Sequence, residues 1–426
     1  MNVFIAISFI VAAIAAGPAQ TGELQWFKGN LHTHTWWSDG DSPPETVIAW
    51  YKNNGYQFLA LTDHNQINVG DKWVSPDKNK KSSASAAGAE YAKKYGPEWV
   101  ETKPESQEAG APTLWRAKPL SEVRALFEEA GKFLLIPGDE ISIAHGKLPV
   151  HLNAFNLREL VPNEQADTVT GTLQKATDDV MVQSEKTGTK MLVQINHPNF
   201  KWALTAEDIF PTKGAALMEI ANGHNGVNNA GDREHPSVEY IWDVVLTKRL
   251  GELNLPIMYG TATDDAHFFG PGADVTRAIA GRGWVMVRAR YLTPEHILRA
   301  LEQGDFYASS GVTLDEVKFE DNVLSLKIQP KPGVSYRTQF IGTLRGYDPK
   351  ATPRTSDPDA RLTLKYSDDV GKVLAEQSGT EASYKLTGRE LYVRARVVSS
   401  AKKENPAVKG DLEMAWVQPV RPQVGK

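Results

Sequence analysis

Short apolar, largely β-branched runs recur along the first two-thirds of the chain, each closed by polar residues or glycine. They predict strands over Trp26–Leu31, Phe58–Thr62, Phe133–Pro137, His151–Asn156, Met191–Asn196, Ala216–Ala221, Ile257–Thr261 and Trp284–Val287. Between them, apolar positions at helical spacing predict helices over Pro44–Asn53, Leu120–Ala130, Thr168–Thr187, Val238–Leu250 and Pro294–Gln303. The first helix carries a start signal: Ser42 as N-cap, Pro43 in the first turn, and Glu45 completing a capping box. Strands that alternate with helices imply a mainly parallel sheet, and this many of them imply an α/β fold of the (β/α) barrel type.

Two stretches break the rhythm. Residues 65–117 are rich in Lys, Ser, Ala and Gly and carry Trp73, Tyr91, Tyr95, Trp99 and Trp115. So long an excursion after a strand is either a lid over a site or a surface insertion. After Ser310 the helical pattern stops. Short alternating segments follow at Glu316–Phe319, Val323–Ile328, Gln339–Ile341, Leu362–Tyr366, Leu391–Val398 and Glu413–Val417, as in a small antiparallel β-domain. The expected organisation is a barrel over 20–310, interrupted by the 65–117 insertion, then an all-β domain over 311–426.

Composition narrows the chemistry. The chain has 426 residues, no cysteine, ten histidines and a net charge of −5. Without cysteine there is no disulfide framework, no Cys-ligated zinc and no thiol nucleophile. The mild negative charge argues against nucleic acid or a polybasic membrane contact as partner. Val3–Ala16 is apolar except for Ser8 and is followed by small residues. It is too short to span a bilayer comfortably and reads as a signal peptide over residues 1–19, despite lacking a basic n-region. The expectation is an exported protein without a stable membrane anchor, using oxygen and imidazole chemistry.

Histidines and acids gather at predicted strand ends. The first strand runs into Leu31-His32-Thr33-His34-Thr35, with Ser38-Asp39-Gly40 beyond, and i, i+2 alternation turns His32 and His34 to one side. Later come Thr62-Asp63-His64, Gly138-Asp139-Glu140, Val150-His151, Asn196-His197-Pro198 and Asp264-Asp265-Ala266-His267. Strand C-termini converge on one face of a barrel, so these groups would meet in space. Imidazole with carboxylate is a ligand set for Zn, Mn or Fe.

These motifs resemble those of the polymerase-and-histidinol-phosphatase (PHP) family of metal-dependent phosphoesterases, over about Leu24–Val312. The resemblance implies a distorted seven-stranded β/α barrel with two or three divalent metal ions (Mn, Zn or Fe) at the strand ends. Carried over by position, it makes His32, His34, Glu140 and Asp265 ligands of one metal. Glu140 would bridge to a second, also held by His151 and His197. Asp39, His64 and His267 would hold a third. His145 is an alternative to His151, Asp264 should point away from the metals, and Asp63 should orient a ligand imidazole. The amidohydrolases also begin with H-x-H, but the Asp39, Asp63-His64 and Asp265-x-His267 elements favour the PHP pattern.

The implied reaction is hydrolysis of small phosphate mono- or diesters by a metal-bound hydroxide. Arg233, Arg277, Arg282 and Lys201 are candidate phosphate holders, and His224 or His235 a candidate acid for the leaving group. His296, in a helix pattern, reads as structural. Hydrolysis of a carbamate or carboxylic ester on the same scaffold is the alternative. A binding module without catalysis fits the full ligand set poorly.

Overall fold

In the computed structural model every strand and helix anticipated before residue 310 is present, most with ends shifted by one or two residues. The structure describes residues 22–75, 84–354, 361 and 363–423, so the proposed signal segment lies outside the described residues. The chain opens with β1 (Gln25–Asn30), α1 (Pro44–Asn53) and β2 (Phe58–Leu61). The insertion carries β3 (Lys72–Val74), α2 (Ala84–Tyr95), β4 (Thr102–Pro104) and β5 (Thr113–Ala117). Then come α3 (Leu120–Phe127), β6 (Leu134–His145), β7 (Leu148–Phe155), α4 (Val169–Thr187), β8 (Leu192–Ile195) and α5 (Ala206–Ile209). They are followed by β9 (Leu217–Asn222), α6 (Val238–Gly251), β10 (Tyr259–Thr263), β11 (Trp284–Ala289), α7 (Pro294–Gln303) and β12 (Phe306–Ser309). The remainder is strand: β13 (Leu314–Glu320), β14 (Val323–Ile328), β15 (Tyr336–Leu344), β16 (Ala351–Pro353), β17 (Leu364–Tyr366), β18 (Lys372–Ser378), β19 (Glu381–Lys385), β20 (Glu390–Lys402) and β21 (Leu412–Val420).

A mixed sheet of 13 strands organises the molecule, in the order β10-β9-β8-β7-β6-β2-β1-β11-β12-β21-β20-β15-β18. The parallel pairing expected from strand–helix alternation holds for β1-β2-β6 and for β8-β9-β10. It fails at β7, which is antiparallel to both neighbours, and at β11, antiparallel to β1. The cause at β7 is local. β6 and β7 are joined by a tight hairpin with Gly146 at φ 62°, too short for the crossover helix that parallel strands need. Beyond the strands, Asp265 N donates to His32 O (3.0 Å) and His34 N to Ala266 O (2.9 Å). The sheet therefore curls until the segments following β1 and β10 bond to each other.

The C-terminal strands continue this sheet, because β21 pairs with β12 and β20 with β21. The main core lies where α4 and α6 cover β7–β10, with Leu173, Val180, Trp242 and Val245 fully buried. Buried Arg394 of β20 clamps α6 through Asp243 (2.6 Å) and Glu239 (2.8 Å). Among the described residues no helix is long and apolar enough to cross a membrane.

The start of α1 differs from its sequence reading. Pro43 is the N-cap and makes no side-chain cap bond, while Ser42 Oγ donates to Asp41. Glu45 leaves the capping box because the insertion competes for it: Tyr91 OH (2.9 Å) and Trp99 Nε1 (2.6 Å) both donate to its Oε1. Tyr91 and Ala117 of the insertion pack with Trp36 and Trp37, joined by partly buried Tyr95, Trp99 and Trp115. Four of the insertion's five named aromatic residues, all but Trp73, thus form a small core against the segment after His34.

Candidate metal centre

The strand ends bring His32, His34, Asp39, His64, Glu140, His151, His197, Asp265 and His267 together. His32 and His34 follow β1, His64 follows β2, Glu140 lies on β6, His151 on β7, His197 follows β8, and Asp265 and His267 follow β10. Four overlapping donor groups result, each compact enough for one ion: His32/His34/Asp265, His32/Glu140/His197, His64/Glu140/His151 and His34/Asp39/His64/His267. Glu140 belongs to two of them. It lies 3.0 Å from His197 Nε2 and 3.1 Å from His151 Nδ1 through Oε1, and 2.7 Å from His64 through Oε2. His34 also joins the group at Asp39 and His64 also joins that at His151, so the sets overlap more than the motif assignment allows.

The donor set fits divalent cations on its own chemistry. Glu219 accepts from His32 Nδ1–H at 2.8 Å, which leaves the Nε2 lone pair pointing inward. That Nε2 is buried without a hydrogen-bond partner, 3.3 Å from Glu140 and 3.4 Å from Asp265. Asp265, Glu140 and Glu219 raise the His32 pKa well above its usual value against its burial. This contact therefore calls for a positive charge, a proton or a metal ion, between the imidazole and the two acids. His34 repeats the arrangement: its Nδ1 meets Ser38 Oγ (3.2 Å) and its Nε2 faces Asp265 (3.2 Å). The His267 Nδ1–H is held by the Asp265 backbone carbonyl (2.9 Å), leaving Nε2 3.1 Å from Asp39.

Burial would push Glu140 up, yet His64, His32 and His151 outweigh it and hold the carboxyl well below its usual range. Asp265 is likewise held down, by His32, His34, His224 and His267 against its burial. Burial, together with neighbouring His267 and His64, keeps His34 well below the ordinary imidazole value, in the neutral ligand form. Two ligand positions also carry left-handed backbone, His197 at φ 23° and Asp265 at φ 49°. Such conformations cost energy for residues with a Cβ and concentrate at functional sites.

Supporting residues sort the remaining expectations. Asp264 does point away, accepting from Tyr51 OH (2.9 Å), Asn30 Nδ2 (2.5 Å), Arg282 N (2.6 Å) and Gly283 N (2.9 Å). Asp63 reaches an imidazole only through Ser38, whose Oγ donates to it at 2.6 Å; it otherwise holds Thr35 and Asn68. His145 sits near the β6–β7 turn on Thr172 (3.3 Å), whereas His151 contacts Glu140, which resolves that pair in favour of His151. His296 lies at the start of α7 on Thr293.

The sequence missed the groups that hold the ligands. Glu219 on β9 is fully buried and, besides His32, takes the His197 backbone N–H (2.7 Å), Thr263 Oγ (2.6 Å) and Asn222 Nδ2 (2.9 Å). Asn222 also donates to Asp265 (3.1 Å) and Asn196 to Glu140 (3.0 Å). The available signal for Glu219 was one acid inside an apolar strand, since a buried carboxylate requires partners.

The candidate substrate groups divide. His224 stands at the cluster, its ring 5.3 Å from that of His267 and 5.9 Å from Phe200. Its Nδ1 accepts from Gly226 N (2.9 Å), which places the remaining proton on Nε2. Arg282 is a correction: its guanidinium donates to the carbonyls of Gly223, Val275 and Asn405 and to Asn225 Oδ1, so its fork is committed to the protein. Arg233 projects into solvent, its side chain 94% exposed. Exposed Lys201 lies over the Phe200 ring (5.4 Å) and Arg277 over Phe268 (4.9 Å), each next to an aromatic beside the centre. His235 stacks on Trp202 at 3.9 Å and bonds Asp232, away from the ligand histidines.

No family model and no curated protein matches this chain. Among solved structures it is similar to a two-domain protein from Bacteroides vulgatus containing a predicted PHP-like metal-dependent phosphoesterase, at 16% identity and a TM-score of 0.38. That alignment covers 96% of this chain and 100% of the other. It is also similar to PsfC from Pseudomonas syringae, at 10% identity and a TM-score of 0.33 over 65% of this chain and 87% of that one. A third is an amidohydrolase from Chromobacterium violaceum, at 14% identity and a TM-score of 0.26 over 57% of this chain and 88% of that one. The metal centre is read from donor geometry alone.

Proposed function

We propose that the chain is a metal-dependent hydrolase acting on phosphate mono- or diesters of small molecules, with the portion β1–β11 read as a distorted barrel carrying two or three ions. The observation that carries this reading is the convergence of nine His, Asp and Glu side chains into four overlapping donor groups, with the inward-facing His32 Nε2 buried against Glu140 and Asp265. Divalent ions held there would polarise a phosphoryl oxygen and lower the pKa of a water. The chain's own residues do the rest: Glu219, Ser38 and the Asp265 carbonyl fix the imidazoles, and His224 offers an Nε2–H beside the centre. Exposed Lys201, over the Phe200 ring, is the cation placed to steady the ester's charge.

A carbamate or carboxylic ester substrate is the second reading. It is favoured by the commitment of Arg282 to backbone carbonyls and by the solvent position of Arg233, which leave few cations for a phosphate dianion. Protein loaded with Mn or Zn, offered aryl phosphate monoesters, phosphodiesters, carbamates and carboxylates, separates the two. Turnover of the phosphate esters is expected. Turnover of carbamates or carboxylates alone overturns the phosphoesterase reading and leaves the hydrolase standing. An exported location, expected from the N-terminal apolar segment, remains part of the proposal.

A further inference from the structure

A cavity of about 400 Å³ lies between the ends of β9 and β10, the loop 223–231 that carries His224, and the turn between β20 and β21. None of the nine candidate metal ligands lines it, so it is distinct from the metal centre although adjacent to it. Val227, Ala407, Val408, Met414 and Trp416 give it an apolar wall, and Val408 at its rim is 65% exposed.

Its polar groups are unbalanced in one direction. The Trp416 indole Nε1–H is buried without a hydrogen-bond partner, in a residue only 5% exposed. The Lys403 side chain is 15% exposed, and its ammonium has Asp411 at 3.9 Å as its ion contact, beyond hydrogen-bond reach. A buried indole N–H and a largely buried ammonium each normally find an acceptor. Of the cations in the lining, Arg396 is paired with Glu239 (2.9 Å) and Arg282 donates to protein carbonyls and Asn225, so Lys403 is the one whose ammonium lies beyond hydrogen-bond reach of its acid. The volume is that of a small-molecule site, and the lining sets an apolar wall against asparagine and charged side chains.

We propose that this cavity is a second ligand site, which takes a small organic monoanion: a carboxylate accepted by Lys403, attached to an apolar body lying against Val227, Met414 and Trp416. A monoanion suits one ammonium that lacks a hydrogen-bonded acid, and a flat or branched apolar body suits the wall.

The test is calorimetric titration of the full-length protein with phenylacetate and with its uncharged counterpart phenylacetamide. Phenylacetate is expected to bind with a Kd below about 1 mM, and the amide at least about tenfold more weakly. Lys403→Met removes the ammonium and keeps the stem, and is expected to weaken phenylacetate at least about tenfold. Val408→Trp, at the exposed rim, occludes the mouth without touching the core and should do the same, so the proposal stays testable if the lysine variant folds poorly. Chelation by EDTA is expected to leave the affinity within about twofold, which separates this site from a carboxylate sitting on the metals. Absence of binding up to about 10 mM, equal binding of acid and amide, loss of binding with EDTA, or unchanged binding in a folded variant overturns it. None of these results bears on whether the metal centre hydrolyses esters.

Discussion

Glu219 holds His32: its Oε1 accepts the imidazole Nδ1–H at 2.8 Å, and the opposite nitrogen is thereby committed to the metal side. The same carboxylate takes the His197 backbone N–H, so one residue on β9 sets two ligand positions. Glu219→Gln keeps the shape and removes the charge that raises the basicity of His32. The expected outcome is a fall in metal affinity of about 10–100-fold with the fold retained. Competition with a chromophoric chelator measures it, and an unchanged affinity would show that Glu219 does not support the ligand.

Asp264 and Asp265 are neighbours with opposite duties. Asp264 is buried among two backbone N–H groups, Tyr51 OH and Asn30. Asp265 faces four imidazoles. Asp264→Asn turns an amide N–H toward those donors and should lower stability by about 2–3 kcal/mol, seen as a reduced melting temperature of the metal-free protein. Asp265→Asn places a residue tolerant of left-handed backbone at φ 49° and should spare the melting temperature while removing bound metal and turnover. Metal loss from the first variant with no change in its melting temperature would reverse the assignment.

Much of this was legible because periodicity and ligand spacing are local. The i, i+2 pairing of His32 and His34 needs only extended backbone, and the apolar run places β1 to within a residue, with both histidines just beyond its end at Asn30. The mixed pairing was not legible, because direction at β7 is fixed by a turn around Gly146 rather than by the strand's own residues. Arg282 illustrates a second limit. An arginine near a strand end looks the same in sequence whether it waits for phosphate or, as here, ties the carbonyls of Gly223, Val275 and Asn405 together. Glu45 illustrates a third, since a capping box is a local rule that lost to Tyr91 and Trp99, partners far along the chain.

That buried glutamate makes a pH prediction. Burial raises the pKa of Glu45 above its usual value, with the bonds from Trp99 and Tyr91 only partly offsetting it, and its Oε2 has no hydrogen-bond partner. An acid whose folded pKa is raised binds more protons folded than unfolded. Its contribution is therefore most favourable below the unfolded value and declines as pH rises through the interval up to the folded one. Glu45→Gln mimics the protonated form and has no such dependence. Thermal melts at pH 4 and pH 7.5 should show the variant gaining on the wild-type protein at the higher pH, where the wild-type carboxylate must stay charged. A gap that is constant or narrows with pH would mean that the carboxylate is not destabilised by burial.

His224 offers the most direct test of chemistry as opposed to metal binding. Its Nδ1 is fixed by Gly226 N–H, which leaves the proton on Nε2, and its ring lies 5.3 Å from that of His267 and 5.9 Å from that of Phe200. It belongs to none of the four donor groups, so its loss should leave metal content unchanged. A group that protonates a departing oxygen matters most when that oxygen is basic and least when it leaves readily as an anion. His224→Ala should therefore lower kcat by about 100-fold or more for an alkyl phosphate ester, and by less than about fivefold for a nitrophenyl ester. An equal loss on both esters would make His224 a residue that positions the substrate. Parallel loss of bound metal would make it part of the ligand framework.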